Sequence, residues 1–338
     1  MILGVLLSRR SWLKFYGPLI DRARADGHDV RIVFRPSPKL GEHIHPERDF
    51  APWPGIHLQS DLDGIDILIT GDREPRMHPR QLGIGQFFDN LLGPPRTDIA
   101  VAYLSEFHRL YHAILYQTPM PAQPVTGSPM MDGFDALDPG EIRARYCLDT
   151  RPVWLLFTLK FPTGGREVAY REIVEAYVAA AHRQGAQVVA KSRPKCGDPA
   201  WVPDVVDRYI SDLSMHPFTS LALLRVAVQC LHWDSGAALE AGYAGVPTLC
   251  VAIPHPHLAH VMDKKAIFYA HEPQTGFRWE GLSEVHAPTE MLARLRDGEA
   301  LGQPVSPAAR HAFAEKFFGF TDGESARRIL EVAQGLMR

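Results

Sequence analysis

The sequence predicts an α/β protein built from two parallel-sheet halves. Three observations carry that prediction. Short apolar runs alternate with helical periodicity along most of the chain, and a strand–helix–strand unit opens it. A stretch rich in proline and glycine between residues 118 and 141 interrupts the pattern, after which the same rhythm restarts. The length agrees: 338 residues, at roughly 100–200 per domain, suggest two units with cores of their own.

The opening unit is the clearest. Ile2 to Leu7 is a continuous apolar run, as in a strand covered on both faces, and Ser8-Arg9-Arg10-Ser11 is a polar turn. Trp12, Phe15, Tyr16, Leu19, Ile20 and Ala23 recur at helical spacing up to Ala25, and Gly27 closes the helix. Val30 to Phe34 is the second strand, so the crossover is right-handed and the sheet parallel. Ile65–Thr70 and Asp98–Leu104 read as further strands. After the break, strands are expected at Pro152–Thr158, Ala186–Lys191, Cys230–Trp233 and Pro247–Ile253. Helices are expected at Arg171–Gln184, Leu221–Val228, Ala237–Ala244 and Ser325–Met337.

Composition excludes several classes. With 36 Lys+Arg against 39 Asp+Glu, a net charge of −3 and no basic run, no nucleic-acid partner is indicated. No apolar stretch approaches the roughly 18–20 residues that span a bilayer. MILGVLLSRRSW reads as a first strand rather than a signal peptide. Cys147, Cys196, Cys230 and Cys250 are widely spaced without a CxxC pair, which suits packed thiols in a reducing, cytoplasmic compartment.

The strongest chemical signal is HWDSGAALEAGYAGVPTLCVAIP, residues 232–254. A strand end is followed by Asp234-Ser235-Gly236 and a helix from Ala237. Ser235 suits the N-cap, Gly236 admits a ligand close to the backbone, and the free N–H groups of the first turn suit a diphosphate. Glu240, one turn in, could accept hydrogen bonds from ribose hydroxyls. The same residues also suit an ordinary strand–turn–helix with a capping serine and a solvated glutamate.

Ser235-Gly236, Glu240-Ala241 and Gly245-Val246-Pro247 match in order and spacing the C-terminal signature of GT-B-fold nucleotide-sugar enzymes, which this stretch resembles. Val125-Thr126-Gly127-Ser128-Pro129, followed by Asp132, resembles an interdomain segment of nucleotide-sugar epimerase-like and capsule glycosyltransferase-like proteins. Phe318 to Leu330, FGFTDGESARRIL, resembles the tail of CDP-glycerol glycerophosphotransferases and related surface-polysaccharide enzymes. The resemblance implies a GT-B-like α/β fold: two Rossmann-like parallel-sheet domains facing a cleft. Residues 1–127 would form the acceptor domain, 128–320 the nucleotide-donor domain, and 321–338 a C-terminal helix packing back across the domains. It further implies that Ser235 and Gly236 meet the donor phosphates and Glu240 the ribose.

Lys191, Arg193 and Lys195 place three cations on a strand-end loop, where ligands of open α/β sheets gather and where two phosphates would be well matched. Relatives often carry a histidine in this element. Its absence here argues against a glycerophosphotransferase. Lys160, after the first strand of the second half, could neutralise the leaving group, and Gly164-Gly165 could admit a phosphate. His216-Pro217 lies where relatives pass from a strand to the helix that covers the base, which implies a backbone contact to the base near there; a structural role is the favoured account. Arg9 and Arg10 at the first strand end and His257 in a cleft loop are the acceptor-binding candidates. Asp89, Glu106 and His108 are the candidate general bases, with Asp72 behind them.

Three other patterns are set aside. Asp61-Leu62-Asp63 has a metal-binding form but precedes Gly64 and reads as a turn. His255-Pro256-His257 with His260 lacks helical ligand spacing and a fixed Asp or Cys partner. Gly83-Ile84-Gly85 lacks the third glycine and the preceding strand of a dinucleotide fingerprint. The expectation is thus a glycosyltransferase without metal or cofactor, moving a sugar from a nucleotide-sugar donor to a hydroxyl acceptor such as a glycan or glycolipid. Arg9, Arg10 and Trp12 are available to an anionic membrane surface. The alternatives are a non-hydrolysing nucleotide-sugar 2-epimerase and a non-catalytic nucleotide-binding protein of the same fold.

Overall fold

The computed structural model describes residues 1–35, 43–72, 74–85, 96–117, 123–159, 166–193, 197–212, 214–233, 235–253, 278–298 and 304–338. The chain divides into two compact units. The first comprises Met1–Gly133, Ser214–Phe218 and Ala314–Arg338; the second comprises Phe134–Leu213 and Thr219–Phe313.

The first unit holds strands β1 (Ile2–Leu7), β2 (Asp29–Phe34), β3 (His57–Gln59), β4 (Ile67–Gly71), β5 (Gln81–Ile84) and β6 (Ala100–Ala102). They pair in parallel in the order β3-β2-β1-β4-β5-β6. The second holds β7 (Val153–Phe157), β8 (Gln187–Lys191), β9 (Arg208–Ile210), β10 (Ala227–His232), β11 (Thr248–Val251) and β12 (Ser283–His286). These are also parallel, in the order β12-β11-β10-β7-β8-β9. Numbered within its own unit, each sheet runs 3-2-1-4-5-6. This is the doubly wound order, whose direction reverses between the first and fourth strands. The reversal falls between β1 and β4 in the first unit and between β7 and β10 in the second.

Central strands follow the apolar runs because both of their faces are covered. Leu3, Val5, Leu6 and Leu7 of β1 are buried, and the Leu13–Ala25 helix lays Phe15, Tyr16, Leu19 and Ile20 into the same core. In the second unit the Arg166–Arg183 helix buries Tyr170, Ile173, Val174 and Tyr177 together with Trp154, Val188, Leu231 and Met291. Each such side chain contributes on the order of 1.5–3 kcal/mol. The Ala237–Ala244 helix takes small residues for a different reason. Its Ala238 packs on Cys250, and a Cβ at Gly242 would come within 2.2 Å of the Phe313 ring.

Several expectations change. The short edge strands β3, β9 and β12 carry no apolar run (HLQ, RYI, SEVH), because a strand paired on one side leaves much of itself to solvent. Gly83 lies inside β5, where a Cβ would sit 2.8 Å from Asp72 Cα, so the glycine serves close packing. The expected Leu221–Val228 helix is Thr219–Leu224, and Ala227 and Val228 belong to β10. An unbroken apolar run reads equally as buried helix or buried strand. The expected connection ends in a helix that runs past it, Pro139–Tyr146, capped by Asp138, whose Oδ1 accepts from Glu141 N–H at 2.9 Å. The Asp-Pro pair at its start is the signal that could have found it.

The two weaker resemblance segments meet inside the first unit. Asp132 accepts from the N–H groups of Ser325 at 3.1 Å and Ala326 at 2.6 Å, so it caps the Ser325–Gly335 helix from far away in sequence. Gly127, at φ 88°, leaves room for this helix start, since a Cβ there would lie 2.4 Å from Ser325 Oγ. Replacing Asp132 by alanine is expected to cost about 0.5–2 kcal/mol, the scale of a lost N-cap, measured by urea unfolding.

Candidate functional site

In open α/β sheets, ligands gather outside the carboxyl ends of the strands, where the strand order reverses. In the second unit this point lies at the ends of β7 and β10. β10 ends at His232, and Ser235-Gly236 lead into the Ala237–Ala244 helix. Gly236 occupies the N-cap position that the sequence assigns to Ser235, and Ser235 Oγ accepts from Ala237 N–H at 3.3 Å. Gly236 has φ −55° and ψ −16°, a conformation open to any residue, so its backbone does not require glycine. Ser235 and Gly236 are themselves half-buried.

Cations stand around this point. Lys191 closes β8, is almost fully buried, and donates from Nζ to the Ser192 carbonyl at 2.7 Å. Arg193 follows, half-buried. Burial, with the Arg193 charge adding to it, pushes His232 down to about 3, so the imidazole is neutral at any working pH. Arg166, the first residue of the helix after β7, donates from Nη2 to the Ile253 carbonyl at 3.2 Å, beyond the end of β11. Tyr209 of β9 donates its hydroxyl to Asp198 at 2.9 Å. Glu240 is 3% exposed, in the first turn of its helix. Burial first, then Cys250 and Glu240, hold the Cys230 thiol well above its ordinary value.

Ser235, Gly236, Lys191 and Arg193 are therefore brought to one end of one sheet. Lys160, Lys195, Asp234 and Gly164-Gly165 lie outside the described residues, as do Asp89 and His257. Sequence reasoning passed over Arg166 because the expected helix began at Arg171, and over His232 because it looked like a strand residue. The signal for His232 was its place immediately before the Trp-Asp-Ser-Gly run.

In the first unit the acceptor candidates part ways. Arg9 is half-buried and its guanidinium lies 5.6 Å from the Trp12 ring. Arg10 turns inward: it is 2% exposed and its Nε donates to Asp49 at 2.8 Å, so its charge is committed to a buried ion pair rather than an acceptor. Glu106 and His108, two apart on the Glu106–Tyr116 helix, face different ways. Glu106 is exposed and pairs with Arg109 at 2.5 Å, whereas His108 is fully buried, edge-on to Tyr103 at 5.2 Å. A Cβ at Gly85 would come 2.7 Å from the His108 ring, so that glycine makes room for it. Asp72, just past β4, is buried; burial first, then Asp72, push the Tyr103 hydroxyl up to about 12.

His216, joined to Pro217 by a cis peptide bond, has a structural partner set in the first unit. Its Nε2 meets Asp21 Oδ2 at 2.6 Å and its ring stacks on Trp53 at 5.1 Å. Trp53 Nε1 donates to the other oxygen of Asp21 at 2.6 Å. Burial would raise the Asp21 carboxyl, but these bonds outweigh it and the value falls. Asp61-Leu62-Asp63 is a turn, with Asp63 N–H donating to Asp61 Oδ1 at 3.1 Å. Among the described residues no group of three His, Cys, Asp or Glu is placed to hold a metal ion, and no helix is long and apolar enough to cross a membrane.

This architecture has known counterparts. It is similar to the UDP-GlcNAc 2-epimerase from Methanocaldococcus jannaschii over 99% of this chain and 100% of that one, with a TM-score of 0.61 and 13% identity. It is also similar to the wall teichoic acid polymerase TagF over 100% of this chain and 88% of that one, with a TM-score of 0.63 and 10% identity. The chain has the GT-B fold, an α/β fold of two parallel-sheet units. No protein-family model matches the sequence, and no curated protein matches it.

Proposed function

We propose that the protein is a metal-independent glycosyltransferase of polysaccharide or glycoconjugate synthesis. It takes a nucleotide-sugar donor at the strand ends of the second unit and passes the sugar to a hydroxyl acceptor. The observation that carries this reading is the helix start at Ser235-Gly236 after β10, at the β7/β10 reversal, with Lys191 ending β8 at the same end of the sheet and the Arg193 charge felt by His232. The fold likeness to a UDP-GlcNAc 2-epimerase supports a nucleotide-sugar as the ligand, and the likeness to a wall teichoic acid polymerase supports a role in polymer synthesis.

In the reaction the bond from the sugar C1 to the diphosphate oxygen breaks and a bond from C1 to the acceptor oxygen forms. The diphosphate gains negative charge as it leaves. The N–H groups of Ala237, Ala238 and Leu239 already donate to Ser235 Oγ, the Ser235 carbonyl and the Gly236 carbonyl. The helix start therefore acts through its partial positive charge, and Arg193 and Lys191 stabilise the departing charge as cations, with Lys160 and Lys195 as further contributors. The acceptor proton passes to a general base; Glu106 and Asp89 are the carboxylates put forward, since His108 is buried away from solvent. Glu240 accepts from the ribose hydroxyls, and Arg9 and His257 contact the acceptor.

Binding of UDP, GDP, CDP and TDP by titration calorimetry tests the donor site. Gly236→Ala is expected to keep the melting temperature, because its backbone suits alanine, yet to weaken nucleotide binding about tenfold or more. Glu240→Ala is expected to weaken it by about 1–3 kcal/mol. Unchanged affinity in both variants would remove the helix start from the site. Turnover of the matching nucleotide-sugar in EDTA, with and without acceptor alcohols, tests the reaction. Epimerised sugar without an acceptor would assign a 2-epimerase instead, and binding without turnover a non-catalytic protein.

A further inference from the structure

The first unit carries a cavity at the amino ends of its strands, the end opposite to the carboxyl ends where ligands of open α/β sheets usually gather. It measures about 220 Å³ and lies where β5 and β6 begin, at Gln81 and Ala100. Arg76, His78 and Arg80 line one side; Ile99 and Leu336 give it an apolar wall. The single acid of the lining, Asp98, is paired with Arg96 outside it at 2.5 Å, so the two lining arginines, Arg76 and Arg80, face an aspartate whose charge is already matched. That pairing, with a smaller contribution from Arg76, holds the Asp98 carboxyl below its ordinary value.

The cationic loop is held in shape before any ligand arrives. Gln81 is 3% exposed and its amide uses every polar position on the loop and its neighbour. Its oxygen accepts from the N–H groups of Met77 at 2.7 Å and His78 at 3.4 Å, and its nitrogen donates to the Pro75 carbonyl at 2.9 Å and Thr70 Oγ1 at 3.1 Å. The Arg80 carbonyl accepts from Leu68 N–H at 2.9 Å. His78 Nδ1 lies 2.9 Å from that same carbonyl and accepts from the Arg80 N–H at 3.2 Å, which orients the ring and leaves the proton on Nε2. A preorganised, positively charged recess of this kind binds anions without a further ordering cost.

We propose that this recess is a binding site for a small phosphate ester, held by Arg76 and Arg80 with His78 and Thr97 as further donors, and with the organic part of the ester against Ile99 and Leu336. Its volume lies below the roughly 300–1,000 Å³ of usual small-molecule pockets, which excludes a whole nucleotide-sugar and separates it from the donor site. A phosphate ester reaches it either as a free metabolite or as a lipid headgroup.

Two arms distinguish the sources, both with the full chain: titration calorimetry with sn-glycerol 3-phosphate, and flotation with phosphatidylcholine vesicles with and without phosphatidate. Saturable binding of glycerol 3-phosphate assigns a free ester; binding confined to phosphatidate vesicles assigns a headgroup. In either case Arg76→Ala/Arg80→Ala is expected to weaken binding about tenfold or more, while Arg193→Ala and the surface control Arg296→Ala leave it unchanged. Circular dichroism of the double variant confirms its fold. Absence of binding in both arms, equal loss in the Arg296 control, or loss in Arg193→Ala with retention in the double variant overturns the proposal.

Discussion

Arg193→Ala is expected to lower kcat by about 10²–10³-fold with the fold intact, the scale on which one fixed group facing transition-state charge contributes. Arg193 is half-buried at the end of β8, so its charge acts partly shielded from water. Arg193→Lys keeps the charge but loses the planar fork, and should recover part of the rate. A second readout follows from His232. Burial is the larger cause of its depressed value and Arg193 the smaller, so its titration should move upward in Arg193→Ala yet stay below the ordinary histidine range, as measured by NMR. Wild-type kcat in this variant would shift the leaving-group role to Lys191.

Asp49→Ala is expected to cost about 3–5 kcal/mol, the penalty for leaving one partner of a buried ion pair without the other. Asp49 gathers Arg10 Nε at 2.8 Å, Arg48 Nε at 2.9 Å and His45 N–H at 2.9 Å, with side-chain exposure of 3% for Arg10 and 2% for Asp49. Burial alone would raise the Asp49 carboxyl; the bonds from Arg48, His45 and Arg10 outweigh it and bring the value below the usual range. The folded state therefore holds this proton more weakly than the unfolded chain. Its stabilisation is full above about pH 4, the unfolded value, and is lost as pH falls through the folded one. Urea unfolding at pH 7 should show the deficit, and an acid series should show a shallower loss of stability in Asp49→Ala than in wild type. A variant as stable as wild type at pH 7 would mean that Arg10 reaches solvent.

The central strands β1, β2 and β4 and those of the second sheet were legible because burial on two faces leaves a local trace. By contrast β5, equally buried, carries Gln81 and Gly83 and hid its strand from the pattern. β1 and the Ala237–Ala244 helix match their expected bounds, the latter closed by Gly245 at φ 72°. Among the edge strands only β6, Ala100–Ala102, leaves such a trace; β3, β9 and β12 do not. Arg166 was hidden because a helix start depends on what the preceding turn packs against. Adjacent arginines show the same limit at the site: nothing local distinguishes Arg9 from Arg10, yet one lies over Trp12 and the other is buried on Asp49, 39 residues away.

By itself the sequence determined the periods, the helix stops and the class of fold, since these depend on residues within a turn or two of one another. The tertiary structure alone decided which polar groups meet. Asp132 caps a helix 193 residues downstream, His216 stacks on Trp53, and His108 folds inward beside the exposed Glu106. The physical reason is that a buried charge or donor must find its partner in space, and strand order, not sequence spacing, sets which partners are near.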